Sequence, residues 1–396
     1  MTGQTPIEPA TLKRIRATNL LSFGPEGIDL ELSALNVLIG PNGSGKSNLL
    51  EAIRLLQAAP NDLADPVRTG GGVSDWIWRG QPQSSATVEV IIDNPRRTQP
   101  LRHVISFRES GRRFILDDER IENEHPYPGQ PDSYFYYRLQ GGSPVLNVVG
   151  DDRRELQRDD VEPDRSILSQ RKEPDQYPEL AYLSTFYEGI NLYGSWEFGR
   201  SAGIRNAQRS DVRPSPLTEN LSNLGMFLNR LAPYPAAKAR LTEHLTELYE
   251  GITDFELYFD PSSVQLLFTE GDYSIPASRL SDGSLRYLFL LAALLDPEPP
   301  NFLGIEEPEL GLHPDLLPKL ADLLVDASSR CQLVVTTHSD LLVDALSEHP
   351  ESVVVCEKHD GQTSMRRLER SDLARWLTRY GLGQLWTKGK LGGVRW

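Results

Sequence analysis

Residues 40–47 read Gly-Pro-Asn-Gly-Ser-Gly-Lys-Ser. The pattern G-x-x-x-x-G-K-S demands a strand, a glycine loop and a helix in that order. The apolar run 35–39 supplies the strand and the stretch 48–57 supplies the helix. Glycines at 40, 43 and 45 let the backbone curl so that several N–H groups face inward, a geometry that receives phosphate oxygens. The helix N-terminus adds partial positive charge. Lys46 is spaced to reach the β- and γ-phosphates, and the Ser47 hydroxyl to ligate Mg²⁺. A glycine-rich turn alone would match by chance only rarely, so the expectation is binding of ATP or GTP. No Asn-Lys-x-Asp guanine-reading motif occurs in the sequence, which argues against a switch GTPase.

A chain of 396 residues can bury a large core in two or three lobes. Its 24% charged and 39% hydrophobic residues are ordinary for a globular protein. The longest apolar run, 287–295, is too short to span a bilayer, and the start has no apolar signal core. Cytoplasmic localisation is the resulting expectation. Cys331 and Cys356 sit in strand-like apolar surroundings and read as buried thiols, not as a disulfide or metal site. The net charge of −15 argues against a sequence-indifferent grip on DNA while leaving room for a local basic groove.

Short strands are expected at 12–17, 28–32 and 36–39. Beyond the loop and helix, and a glycine-rich break at 70–72, runs at 87–93, 101–108, 113–116 and 133–139 predict an antiparallel meander. The acidic and basic stretch 150–175 reads as a solvated excursion. Helices are expected at 217–231 and 236–249, and strands at 255–259 and 264–269. From residue 280 helix and strand alternate: helix 285–295, strand 302–305, helix 314–327, strand 332–336, helix 340–346 and strand 352–356. That alternation predicts parallel β-α units.

Four further segments carry chemistry. In Phe302-Leu-Gly-Ile-Glu-Glu-Pro-Glu309 an apolar strand ends in acid. A phosphate-loop fold uses such an end to hold Mg²⁺, here through Glu306, and to orient or deprotonate water, here through Glu307. Leu280-Ser-Asp-Gly-Ser284 precedes a helix, and Ser281 also suits an N-cap. Val334-Val-Thr-Thr-His-Ser-Asp340 ends a strand on His338, one helix after the acidic strand, where it could contact a γ-phosphate. In Glu309-Leu-Gly-Leu-His-Pro314 the proline sets a helix start.

In order and spacing, the phosphate loop, 280–284, 305–309 and 336–339 resemble the Walker A, signature, Walker B and switch-histidine elements of the ABC ATPase superfamily. Within it the chain resembles the RecF/SMC-like branch, in particular stand-alone ATPases of the AAA_21-like kind related to overcoming-lysogenization-defect proteins. The resemblance covers the first hundred or so residues and everything after about residue 250; Trp196-Glu-Phe-Gly199 matches more loosely. It implies an α/β fold: an ABC-ATPase head (P-loop NTPase) with an antiparallel β lobe and a mostly parallel core sheet flanked by helices. A mixed α/β insertion would separate Walker A from the signature. The expected division is 1–95 and 261–360 for the head, 96–260 for the meander and insertion, and 361–396 for a tail.

The resemblance also implies ATP and Mg²⁺ as ligands. Asn42, Gly43, Ser44, Gly45, Lys46, Ser47 and Asn48 would hold the nucleotide, Ser47 and Glu306 the metal, and Glu307 and His338 the hydrolytic step. Two heads would meet head-to-tail, with Ser281 and Gly283 of one touching the γ-phosphate on the other. The chain departs from the family at Glu306, usually Asp, and at Asp282, usually Gly. Gln81 and Gln83 are both candidates for the γ-phosphate-sensing glutamine. More than two hundred residues separate Lys46 from Ser281, unlike a transporter subunit.

Two functions follow from the resemblance. One is an ATP-gated sensor in a defence or toxin system acting through a separate effector, such as a Toprim-like protein, because only about forty residues follow Cys356. The other is a repair or genome-maintenance ATPase acting on DNA. The tail, with Trp386, Trp396 and basic residues, suits a protein interface or packing of Trp386 onto its own head.

Overall fold

The computed structural model describes residues 11–95, 97–140, 142–148, 153–155, 161–194, 199, 203–248 and 251–393. Residues 195–198 and Trp396, part of the segments noted above, lie outside the described residues. The chain forms two units. The first is drawn from Met1–Ile190, Glu351–Leu373 and Gly389–Trp396, the second from Asn191–Pro350 and Ala374–Lys388.

The first unit contains an eight-stranded antiparallel sheet. Ile28–Glu31 lies at one edge and Leu12–Thr18 beside it. Ala86–Ile92, Leu101–Ser110, Arg113–Asn123, Phe135–Gln140, Ser143–Asn147 and Arg153–Glu155 follow in chain order. This is the expected meander, with the third run longer than predicted. A bulge between Leu12 and Arg14 rephases the first strand, so Leu12, Ile15 and Ala17 are all buried despite their uneven spacing. Charges alternate across neighbouring strands, pairing Asp29 with Arg14 and Arg16, Arg16 with Glu89, and Arg102 with Glu89 and Glu122.

Within the charged stretch 150–175, residues 166–168 are buried and not a solvated excursion. Buried Glu119 accepts from the Ile167 amide at 2.9 Å and from the Ser166 hydroxyl. Ile167 and Leu168 are buried in a one-turn helix, Ile167–Gln170. A hydrogen-bonded carboxylate anchors a segment whose composition alone favours water.

Strand Leu35–Ile39 is buried throughout and pairs in parallel with Val353–His359, Val37 opposite Val353 and Ile39 opposite Val355. Val353–His359 then turns through Asp360 and Gly361 into an antiparallel strand, Gln362–Arg367. Both turn residues have positive φ, 50° and 81°, as a two-residue type I′ hairpin requires. Helix Lys46–Ala58 buries Leu49, Ile53 and Leu56 along one side and Leu50, Ala52 and Leu55 beside them.

In the second unit, Phe302–Glu306 and Gln332–Thr337 run parallel, joined through a 3₁₀ turn, Pro314–Leu316, and helix Leu317–Ser328. Helix Asp282–Leu294 is buried from Leu285 onward, as its nearly continuous apolar sequence dictates. A separate antiparallel sheet is made of Gln208–Arg209, Ser263–Glu270, Ile252–Asp260 and Tyr273–Pro276. Helix Pro235–Leu248 accompanies it.

The helix expected over 217–231 forms only at Leu224–Asn229. Asn223 accepts from the Thr218 amide at 3.0 Å and donates to the Arg213 and Pro216 carbonyls, holding the preceding residues as a loop. Leu217 and Leu221 are buried from that loop, which is why the periodicity reads as helical.

Part of the tail packs within the second unit. Helix Leu382–Thr387 lies against Asp340–Ala345, and a Cβ at Gly383 would stand 2.0 Å from the Asp340 carbonyl oxygen. Trp386 is only 7% exposed, in keeping with the packing alternative and not with an exposed interface anchor. Both cysteine thiols are free and buried, and burial pushes each up to about 12. No helix among the described residues is long and apolar enough to cross a membrane.

Candidate active site

The phosphate loop is built from the first unit alone. Gly40 (φ 152°) passes so close to Cys356 that a Cβ would stand 2.3 Å from its carbonyl oxygen. Gly45 (φ 96°) leaves no room either, since a Cβ would lie 2.3 Å from Thr363 Oγ1. Gly43 (φ 77°) faces open space. The first and third glycines are therefore set by close approach, the middle one by backbone conformation.

Thr363, from the hairpin strand, braces the loop. Its hydroxyl donates to the Ser44 carbonyl at 2.9 Å and lies 2.7 Å from Ser22 Oγ, to which Asn48 Nδ2 donates at 2.6 Å. Asn48 thus holds the loop's support, and Asn42 and Ser47 are exposed at its rim.

The residues fit a bound triphosphate. Gly45 is the N-cap of helix Lys46–Ala58 and offers no side-chain cap, leaving the first-turn N–H groups without the usual side-chain acceptor. The Ser44 hydroxyl is buried with no hydrogen-bond partner. The Lys46 ammonium rests on the Gly40 and Pro41 carbonyls at 2.9 and 3.1 Å, neutral acceptors that an anion outbids.

The acidic and serine motifs belong to the second unit. Glu306 ends the strand opposite Thr336, its carboxylate packed so near Gly194 that a Cβ there would be 2.8 Å from Oε2. Glu307 leaves the strand with φ 44°, a left-handed backbone unusual outside glycine. Its amide donates to the Thr336 carbonyl at 2.9 Å. Its Oε1 lies 3.4 Å from His338 Nε2. Glu309 closes the arrangement: Oε1 accepts from Thr337 Oγ1 at 2.7 Å and from the His338 amide at 2.9 Å. Its Oε2 is buried without a partner, and burial raises the carboxyl above its usual range.

Ser281 caps helix Asp282–Leu294 by accepting from the Ser284 amide at 3.1 Å, so the N-cap reading holds. A Cβ at Gly283 would stand 2.5 Å from the Gly311 carbonyl oxygen, which joins this turn to the loop after Glu307. Arg286 donates to the Leu310 carbonyl in that loop. Burial lowers its pKa while the charges of Glu309, Glu307 and Asp282 oppose that. The second unit thus brings Ser281, Gly283, Glu307 and His338 onto connected loops, and the first gathers residues 40–48.

Among the described residues no group of three or more His, Cys, Asp or Glu could hold a metal. Gln81 and Gln83 lie on an exposed turn, where Ser84 donates to Gln81 Oε1 at 3.2 Å.

Sequence reasoning missed Thr363, Arg286 and Glu309 as parts of these arrangements. A lone arginine in the apolar run of helix Asp282–Leu294 was a readable signal.

Comparison with known proteins bears on the family and the fold. Residues 35–344 match the family described as "AAA domain, putative AbiEii toxin, Type IV TA system". The OLD nuclease of Thermus scotoductus is 24% identical over 350 residues, 84% of this chain and 60% of that protein. The chromosome partition protein Smc of Desulfitobacterium hafniense is 36% identical over 103 residues, 24% of this chain and 8% of that protein. The chain therefore spans less than two thirds of the length of each of these relatives.

Among solved structures, an Smc head bound to the C-winged helix domain of ScpA has a TM-score of 0.54 at 15% identity, covering 91% of this chain and 99% of that one. The Smc head with an extended coiled coil, bound to the C-terminal domain of ScpA derived from Pyrococcus furiosus, has a TM-score of 0.55 at 15% identity, covering 93% and 99%. The fold is that of an SMC ATPase head, a P-loop NTPase. With most of its length matched, the chain belongs to this AAA-domain family, an SMC- and RecF-like ATPase group related to the OLD proteins.

Proposed function

We propose that this chain is a Mg²⁺-dependent ATPase whose two copies meet head-to-tail around ATP, and whose ATP state gates a separate effector in a defence or toxin system. The observation that carries the reading is the phosphate loop: an uncapped helix start with the Lys46 ammonium and an unpartnered Ser44 hydroxyl beside it.

In this reading the loop amides of 43–47 and Lys46 hold the β- and γ-phosphates. Ser47 and Glu306 would hold Mg²⁺, which would neutralise charge on the phosphate oxygens. Glu307 orients water and accepts its proton as the water oxygen attacks the γ-phosphorus, and ADP leaves. His338, 3.4 Å from Glu307, would contact the γ-phosphate in this reading. Ser281 and the Gly283 amide of one copy complete the site of the other, so ATP binding favours the dimer and hydrolysis releases it.

The family description and the OLD nuclease relative support a defence or toxin role, with a nuclease-type effector such as a Toprim-like protein as the proposed output. The Smc relative favours a second reading, an ATPase acting on DNA in genome maintenance, against which the net charge of −15 weighs.

The test is to purify tagged Glu307→Gln from its native host with Mg²⁺-ATP and compare it with Lys46→Ala. A stoichiometric protein held only by Glu307→Gln supports the effector reading. Nuclease-sensitive DNA without a partner protein supports the second. Equal ATP hydrolysis by Lys46→Ala and wild type would overturn both.

A further inference from the structure

Arg205 sits in a short 3₁₀ turn, Gly203–Arg205, far in sequence from Ser281 yet wrapped around it. Its Nη1 donates to the Ser278 carbonyl at 2.9 Å and to the Leu280 carbonyl at 2.7 Å. Its Nη2 pairs with the Asp282 carboxylate, and its Nε donates to the Gly199 carbonyl at 3.2 Å. All three guanidinium nitrogens are committed, and the side chain is only 15% exposed. One planar fork thus fixes the backbone before Ser281 and the side chain after it. On the other side, Gly283 abuts Gly311. Between these supports, Arg205, Asn206, Ser278, Ser281 and Asp282 line an open cleft of about 520 Å³.

The acid at Asp282 makes this grip consequential. Asp282 is 60% exposed in the first turn of its helix, one residue from the serine meant to face a partner's triphosphate. A carboxylate suits a helix start but repels an approaching phosphate unless a cation offsets it. Arg205 supplies that cation and spends its other donors on holding the turn's shape.

We propose that Arg205 is the positioning residue of the serine turn: it neutralises Asp282 and aims Ser281 at the nucleotide held by a second copy of this chain. The inference rests on the head-to-tail reading above. It does not place Arg205 on the substrate, since its donors face protein oxygens.

The test uses the full chain in the Glu307→Gln background. Sedimentation gives the dimer dissociation constant in Mg²⁺-ATP, and a fluorescent ATP analogue gives the affinity of one copy. Arg205→Ala should leave analogue affinity within about twofold and weaken the dimer at least ~10-fold, the scale of one lost charge-assisted hydrogen bond. Adding Asp282→Gly should recover most of that loss, because it removes the uncompensated charge. Arg205→Lys, with the charge but not the fork, should fall between.

Undiminished dimerisation of Arg205→Ala would overturn the role alone. So would a loss that Asp282→Gly fails to relieve, which would leave Arg205 as a support of the fold only. A Glu307→Gln protein that stays monomeric in saturating Mg²⁺-ATP would overturn the head-to-tail reading, and this role with it.

Discussion

His338 Nε2 lies 3.4 Å from Glu307 Oε1, and the backbone amide of each is held by a residue of the other's segment. Thr336 binds the Glu307 amide, and Glu309 binds the His338 amide. The pair is part-exposed, so its worth lies in orientation more than in stability. His338→Ala should therefore leave the melting temperature within a degree or two. It should slow ATP turnover by roughly 10- to 100-fold, at or below the usual range for a positioned acid–base group. Steady-state phosphate release with a thermal melt checks both, and unchanged turnover would remove His338 from the site.

The left-handed backbone at Glu307 (φ 44°) costs stability that glycine would not, about 1 kcal/mol. Glu307→Gly should raise the melting temperature by a few degrees or at least not lower it, while turnover falls at least ~100-fold. A clear drop in melting temperature would mean that the carboxylate stabilises the loop and that the strain account is wrong.

Thr363→Val keeps the shape of a buried side chain but removes the hydroxyl between Ser44 and Ser22. The Ser44 carbonyl then loses a partner, worth about 1 kcal/mol, or roughly fivefold in affinity if the loop relaxes. Titration with a fluorescent ATP analogue should show weakening of that order with the fold intact. Wild-type affinity would show that the hairpin does not brace the loop.

Burial holds the Glu309 carboxyl above the ordinary glutamate value of 4.5, outweighing its hydrogen bonds from Thr337 and His338. A carboxyl whose pKa is raised on folding costs stability at pH above its ordinary value, because the unfolded chain gives up that proton more readily. That cost disappears as pH falls through the raised value toward the ordinary one. The unfolding free energy of Glu309→Gln minus that of wild type should therefore be largest near pH 8 and shrink toward pH 5. Denaturant midpoints at both values test the sign, and a constant difference would contradict it.

Much of this arrangement was legible in the sequence because it is local. The strand–loop–helix around Lys46 and the acidic strand ending at Glu306 carry their own periodicity and turn chemistry. The hairpin at Asp360-Gly361 was also legible, since that dipeptide between apolar runs signals a type I′ turn, but the alternation of helix and strand drew the reading toward parallel units. Thr363 was not legible: it meets Ser44 across 319 positions, and no local pattern marks a hydroxyl for that contact. Arg205 and Asp282 are likewise 77 apart. The buried leucines at 217 and 221 misled, because a loop pinned by Asn223 buries apolar side chains at helical spacing. Glu119 did the same for residues 166–168, whose burial composition alone would not suggest.

The central claim is that ATP held by Lys46 joins two copies and that Glu307 ends the joined state. Sedimentation velocity of Glu307→Gln, with and without Mg²⁺-ATP, tests it most directly. The account predicts a monomer without nucleotide and a stable dimer with it, the dimer being absent when Lys46→Ala is added. A sedimentation coefficient that ATP leaves unchanged at saturation would contradict it.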